Sequence, residues 1–325
     1  MAIRLKIPKL NKFTVLFSFL AVFIFFEILI ISPSLLETSD EESIEIEKTI
    51  QLMSDKKKNE VEQKMQGVHL VENSDNERGW ELFANEATGT ADSQWMLKNV
   101  KVQFFSENQS NFLVTGDVGE IDGTTKDMVI RGRVTTVSSN GYTFRTDTLR
   151  YSAKQKIMTS VDPVEMQGPA DNSGTGFRLT GEKLLVEITK NKMSILDKIL
   201  ATKVIQEKDF KLTSIRADFS NKNQEATFSG DVKMNLGTMN VRAPVAVFNY
   251  SNKSRDLYRI LLLKGVEFSE NDRKGICREL EINLLENKMT MRGQPKVQQG
   301  EDEISGQEIV FLDGGKKVKI NRTLN

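Results

Sequence analysis

The feature that most narrows the fold of this chain is an alternation of apolar and polar residues. It begins near Trp80 and is interrupted at short intervals by turn-forming residues. Within 226–236, Ala226, Phe228, Val232, Met234 and Leu236 fall on one side, and Thr227, Ser229, Asp231, Lys233 and Asn235 on the other. Met289, Met291 and Val297 oppose Lys288, Thr290, Arg292 and Lys296 in the same way, and Met128, Ile130 and Val134 oppose Arg131 and Arg133. Successive side chains of a strand point to opposite faces. A period of two with one apolar face therefore predicts half-buried antiparallel strands.

The pattern also repeats. Segments opening at Trp80, Phe112, Tyr142, Phe177, Phe210, Met239, Ile276 and Ile304 lie beneath one another at intervals of roughly 30 residues. Each unit holds a strand, a polar turn such as Lys190-Asn191-Lys192, and a second strand. That second strand often carries Gly just ahead of Val, as at Gly116/Val118, Gly132/Val134, Gly230/Val232 and Gly265/Val266. Gly inside a strand marks a bulge, so its recurrence at one phase predicts a sheet that bends at the same place in every unit. A two-stranded unit cannot bury a face alone, and stacked units share an interior. The expected fold is all-β, an elongated antiparallel β-jelly roll of about sixteen short strands.

Two kinds of interior satisfy this pattern. One is a dry, packed core. The other is an apolar lining that accepts a flexible ligand. Aromatic residues make up only 7% of the chain, and Met128, Met158, Met166, Met193, Met234 and Met239 all fall in the strand region. Methionine is soft and adaptable, which favours the second kind without excluding the first.

The 45 Lys+Arg balance 45 Asp+Glu, which argues against a general nucleic-acid binder. The charges are nevertheless segregated. Residues 1–12 carry Arg4, Lys6, Lys9 and Lys12 and no acid, and residues 13–32 are almost wholly apolar. As a helix those residues span about 30 Å, enough for a hydrocarbon core. The run is longer than the usual apolar region of a secretory signal and ends in a poor cleavage site, so an uncleaved transmembrane helix is expected, with the N-terminus in the cytoplasm, and a cleaved signal peptide is the alternative. Glu27 within it either snorkels to the interface or faces a partner helix in a membrane complex. Residues 33–67 form a charged stalk, in which Ile46, Ile50, Met53, Val61 and Met65 have near-helical spacing and predict a helical or loosely ordered segment. His69, at its end, reads as an exposed surface residue.

Catalytic constellations are missing. One cysteine and one histidine exclude an internal disulfide and a two-histidine metal site. Gly314-Gly315-Lys316-Lys317 lacks the first glycine and the hydroxyl of a phosphate loop, and there is no Gly-x-Ser-x-Gly elbow. Cys277 alternates with Ile276, Leu280, Ile282 and Leu284, which assigns it to the outer face. Glu279 and Glu281 read as solvating charge. Neither an enzyme nor a cofactor is expected.

Several stretches resemble the LptC family of lipopolysaccharide export proteins: WELFANEA at 80–87, NVKVQFF at 99–105, RGRV at 131–134, YTFRTDTLRY at 142–151, TSVDPVEM at 159–166 and GTGF at 174–177. The resemblance covers residues 68–208. Residues 209–325 exceed the usual length of that family and resemble the OstA-like repeat of LptA, a periplasmic bridge protein, through IRADF at 215–219, ATFSGDV at 226–232 and VRA at 241–243. The resemblance implies an inner-membrane protein whose anchor associates with the permease subunits of an ABC exporter, which would supply the ATP energy. Its β region would take lipopolysaccharide between its sheets and pass it, by edge-strand pairing with a bridge protein of the same fold, toward the outer membrane.

The alternation assigns the lipid-facing side chains of such an interior. They are Phe112, Val114, Met128, Ile130 and Val134 in the first β region, and Phe228, Val232, Met234, Met239, Val241, Met289 and Met291 in the second. A membrane-anchored β-repeat scaffold or adhesin without lipid cargo is the alternative.

Overall fold

The computed structural model describes residues 63–321 apart from 75–76, 91–93, 107–108, 172–175, 221–223 and 252–253. The expected cytoplasmic segment, the anchor with Glu27 and most of the stalk lie outside the described residues. Among the described residues no helix is long and apolar enough to cross a membrane.

The strands run β1 (Gln63–Ser74), β2 (Glu77–Gly89), β3 (Gln94–Ser106), β4 (Gln109–Asp122), β5 (Met128–Ser138), β6 (Thr143–Ser152), β7 (Ile157–Ser160), β8 (Val164–Gln167), β9 (Arg178–Gly181) and β10 (Lys183–Glu187). They continue with β11 (Lys192–Ile205), β12 (Lys208–Ser220), β13 (Glu225–Leu236), β14 (Met239–Tyr250), β15 (Leu257–Glu270) and β16 (Arg273–Asn283). The last are β17 (Lys288–Arg292), β18 (Lys296–Gln299), β19 (Asp302–Ser305), β20 (Glu308–Leu312) and β21 (Lys317–Asn321). Every pairing is antiparallel. Among the described residues the count of 21 exceeds the expected sixteen, and twelve strands have ten residues or more rather than being short. The long strands arise because a bulge bends a strand without ending it.

Register shifts fall in mid-strand, between Arg131 and Val134, Leu196 and Ile199, Thr213 and Arg216, Ser229 and Val232, Arg242 and Val245, and Leu263 and Val266. Alternate long strands carry paired residues of positive φ there: Gly132-Arg133, Asp197-Lys198, Gly230-Asp231 and Lys264-Gly265. The bends predicted from the Gly–Val spacing are thus present. At the same line some strands are cut in two, giving β7 and β8, β9 and β10, and β17 and β18.

Each long strand therefore serves two ladders. One runs through β1–β7, β10–β17, β20 and β21, and the other through β1–β6, β8, β9, β11–β16, β18 and β19. The sheet is folded over along the bulges into two leaves. Side chains meet across the gap: Phe104 lies 4.7 Å from Tyr151, Tyr142 5.5 Å from Phe219, and Phe210 5.7 Å edge-on from Phe248. Both inner faces join one hydrophobic core. Each fully buried large side chain in it contributes about 1.5–3 kcal/mol.

Two expectations are corrected. β1 opens at Gln63, inside the expected stalk, because residues 63–66 pair with 86–89 of β2. Cross-strand pairing overrides the local helical spacing of Met65. Cys277 is buried, not on the outer face. Its partner in register is the buried Val266, and the bulge at Lys264-Gly265 shifts the alternation of β16 between Cys277 and Leu280. Ile276, assigned inward with Leu280, is 53% exposed instead.

Candidate functional site

The candidate site is the space between the leaves. Phe112, Val114, Val134, Phe228, Val232 and Met291 are completely buried there, and Met128, Ile130, Met234 and Val241 nearly so. Met239 is buried near a hairpin tip, and Met289 is partly buried against the core. All twelve side chains expected on the inner face lie on it. They pack against one another and against facing rings, so the interior is filled.

The two sides of the roll differ in how they are closed. On one side the backbone passes through the bulges. On the other, hairpin tips of the two leaves meet along a seam held by side chains. Gln206 Nε2 donates to the Leu284 carbonyl at 2.9 Å, and the Arg273 guanidinium lies 5.5 Å from the Phe311 ring centre. Beside these contacts is a cavity of about 90 Å³ lined by Ile205, Leu236, Met239, Leu284, Met289 and Phe311. Of these, sequence reasoning named only Met239 and Met289 as lipid-facing; it placed Leu236 and Leu284 on apolar strand faces and missed Ile205 and Phe311. The available signal was the apolar residue on each flank of a turn, as in Leu236-Gly237-Thr238-Met239.

A second seam cavity, of about 230 Å³, lies where residues 140–177 meet residues 203–255. It is polar, lined by Asn140, Tyr142, Lys203, Gln224, Tyr250 and Arg255. Burial pushes the Tyr142 phenol up to about 12 and the Tyr250 phenol well above its ordinary value. Lys203 is ion-paired with Asp171, and both side chains are almost completely buried. Beneath this cavity Phe177 packs 5.9 Å from Phe210 and 6.1 Å from Phe228, joining the two β regions through their cores.

The outer faces are polar and largely self-neutralised. Arg292 on β17 bonds Glu279 and Glu281 on β16 and Glu308 on β20, and its hydrogen bond to Glu281 leads the causes that raise its pKa. Burial pushes Glu281 up, but the Arg292 hydrogen bond and the nearby Arg259 hold its carboxyl below the ordinary range. Glu279 and Glu281 thus tie strands together rather than only solvating the face. Asp218 is held low in the same way, its burial outweighed by bonds from Arg216 and Ser194. His69 is exposed, as expected, and stacks on Phe83 at 4.3 Å. Burial raises the Cys277 thiol to about 12, so it is not a poised nucleophile.

Residues 28–202 match the family described as lipopolysaccharide-assembly, LptC-related, and residues 211–313 match LptA/(LptD N-terminal domain) LPS transport protein. No curated protein matches the chain. Among solved structures it is similar to the crystal structure of LptH, the LptA homologous periplasmic component of the conserved lipopolysaccharide transport device from Pseudomonas aeruginosa. The identity is 16%, covering 37% of this chain and 87% of that chain, with a TM-score of 0.33. With more than half of its length matched by the first description, this chain belongs to the LptC-related family of lipopolysaccharide-assembly proteins.

Proposed function

We propose that this chain is an inner-membrane-anchored carrier that accepts lipopolysaccharide from an ABC exporter and passes it between its leaves toward the outer membrane. The observation that carries the reading is continuity. The β11–β12 ladder runs from Lys192 paired with Ser220 to Ile205 paired with Lys208. It joins the two family segments into one roll with one apolar interior. Residues 13–32 would anchor it, and Glu27 would snorkel or face a permease helix.

The physics supports a carrier of this shape. A methylene leaving a bilayer needs an apolar surface worth about 0.8 kcal/mol in its place, and the two inner faces offer one. Acyl chains would enter where the seam parts, with the leaves turning about the bulges. Among the described residues the outer strands β1, β19 and β21 each pair on one side only, which leaves edges for a bridge protein of the same fold. No cofactor is needed, and the work of extraction comes from the exporter's ATP.

A photo-crosslinking residue at Met128, Ile130 or Met234 tests the reading in cells. Capture of lipopolysaccharide there, and not at the outward Arg131 or Lys233, is the expected result. The filled interior favours a second reading, a scaffold without lipid cargo. Equal labelling on both faces, or none on either, decides for that scaffold.

A further inference from the structure

The outer face of the second β region is not neutralised everywhere. Across β13, β14, β15, β16 and β18 one row in register reads Lys233, Arg242, Glu267, Ile276 and Lys296. The adjacent row, reaching β19, reads Asn235, Asn240, Ser269, Lys274, Gln298 and Glu303. These two rows line a concavity of about 860 Å³, within the size range of ligand sites. A second concavity of about 660 Å³ shares Arg242, Glu267 and Ile276, and extends the trough to the bulge line at Gly265 and Gly293.

The trough combines fixed amides and an exposed apolar side chain with cations that are not ion-paired. Lys233 is paired with Asp231, but Arg242, Lys274 and Lys296 make no ion pair among the described residues. Arg292 on the other leaf binds three carboxylates. The trough amides are held in place: Asn235 donates to Asn240, Asn240 to the Thr238 carbonyl at 3.3 Å, and Gln298 to the Gly300 carbonyl at 3.3 Å. Ile276, 53% exposed, supplies an exposed apolar side chain on its floor.

We propose that this trough binds an anionic oligosaccharide, the phosphorylated glycan of the lipid cargo. Charge complementarity selects the occupant. Unpaired cations suit phosphate and carboxylate groups on sugars. Fixed amides, a serine and two carboxylates suit hydroxyls, which both donate and accept. The exposed isoleucine suits the C–H face of a sugar ring. The identity of the glycan's carrier rests on the transport reading above. Acyl chains between the leaves and sugar along the outer trough would hold the two halves of one amphipathic molecule.

The test uses the full chain in detergent and a deacylated, phosphorylated lipopolysaccharide oligosaccharide as probe, read by calorimetry. The triple variant Arg242→Ala, Lys274→Ala, Lys296→Ala should bind at least about tenfold more weakly, since three charge-assisted bonds are lost. A control triple at the exposed Lys101, Arg150 and Lys154 should bind as the parent does. No binding by the parent, or equal binding by the trough variant, overturns the proposal. Equally tight binding of inorganic polyphosphate overturns the saccharide assignment. A trough variant that changes self-association but not probe binding would assign the surface to a second copy of the chain. The deacylated probe reports the trough alone and crosslinking at Met234 reports the interior alone, so the two readings fail separately.

Discussion

Gln206 and Leu284 lie 78 positions apart, yet the Gln206 side-chain amide donates to the Leu284 carbonyl and ties a hairpin tip of one leaf to a turn of the other. A hydrogen bond of this kind contributes about 0.5–1.5 kcal/mol, so the seam is held lightly beside the backbone-linked bulge side.

Closing the seam should stop lipid entry. A Gln206→Cys, Leu284→Cys pair joined by a short reducible crosslinker should reduce lipopolysaccharide capture at Met234 to background. Reduction should restore it. Undiminished capture in the crosslinked protein would place the entry elsewhere.

The bulge line should be sensitive to side chains in a graded way. Gly265 has φ +95 and open space around an added Cβ, so Gly265→Ala costs only backbone strain, about 1 kcal/mol. Gly230 has φ +80, and its added Cβ meets the Ile215 Cβ at 2.9 Å. Gly230→Ala should therefore lower the midpoint of thermal unfolding further than Gly265→Ala does. Circular dichroism melts of the two variants check the order.

Stability should fall in acid through the Arg292 cluster. The Glu281 carboxyl is held below its ordinary 4.5 in the folded protein. Its contribution is whole above that ordinary value and is lost as pH falls through the depressed folded value. Unfolding midpoints should thus drop on acidification below about pH 4.5. Arg292→Met should start lower at pH 7 and lose less on the way down. Parallel slopes for parent and variant would show that the cluster has no part in the acid response.

The Cys277 thiol should resist alkylation. Burial and a pKa of about 12 leave little thiolate at pH 8. Iodoacetamide should label the protein in denaturant and not in buffer, as read by mass spectrometry. Rapid labelling in buffer would mean that β15 and β16 separate in the native state.

Much of this architecture was legible because it follows from one rule applied along a strand. Phe228, Val232, Met234 and their counterparts took the inner face because alternation assigns faces locally. Gly132, Gly230 and Gly265 marked the bends because few other residues accept their conformation. The failures have a common cause. Cys277 changed face because of a bulge in the facing strand, which its own alternation does not record. Residues 63–66 became strand because β2 was there to pair with them. The trough cations Arg242, Lys274 and Lys296 are far apart in sequence, and only register brings them into adjoining rows. Faces are written along a strand, whereas neighbours are written between strands.

The bulges have one further consequence. Since the bulges recur on alternate long strands, the fold has no unique centre and no closing step that fixes its size. Seventeen strands stand side by side in the longer ladder. At the usual separation of about 4.8 Å per strand, they extend roughly 75 Å. Inserting one hairpin would add about 10 Å while leaving the cross-section as it was. The reach of this protein is thus a digital quantity, set by how many hairpins its gene spells out.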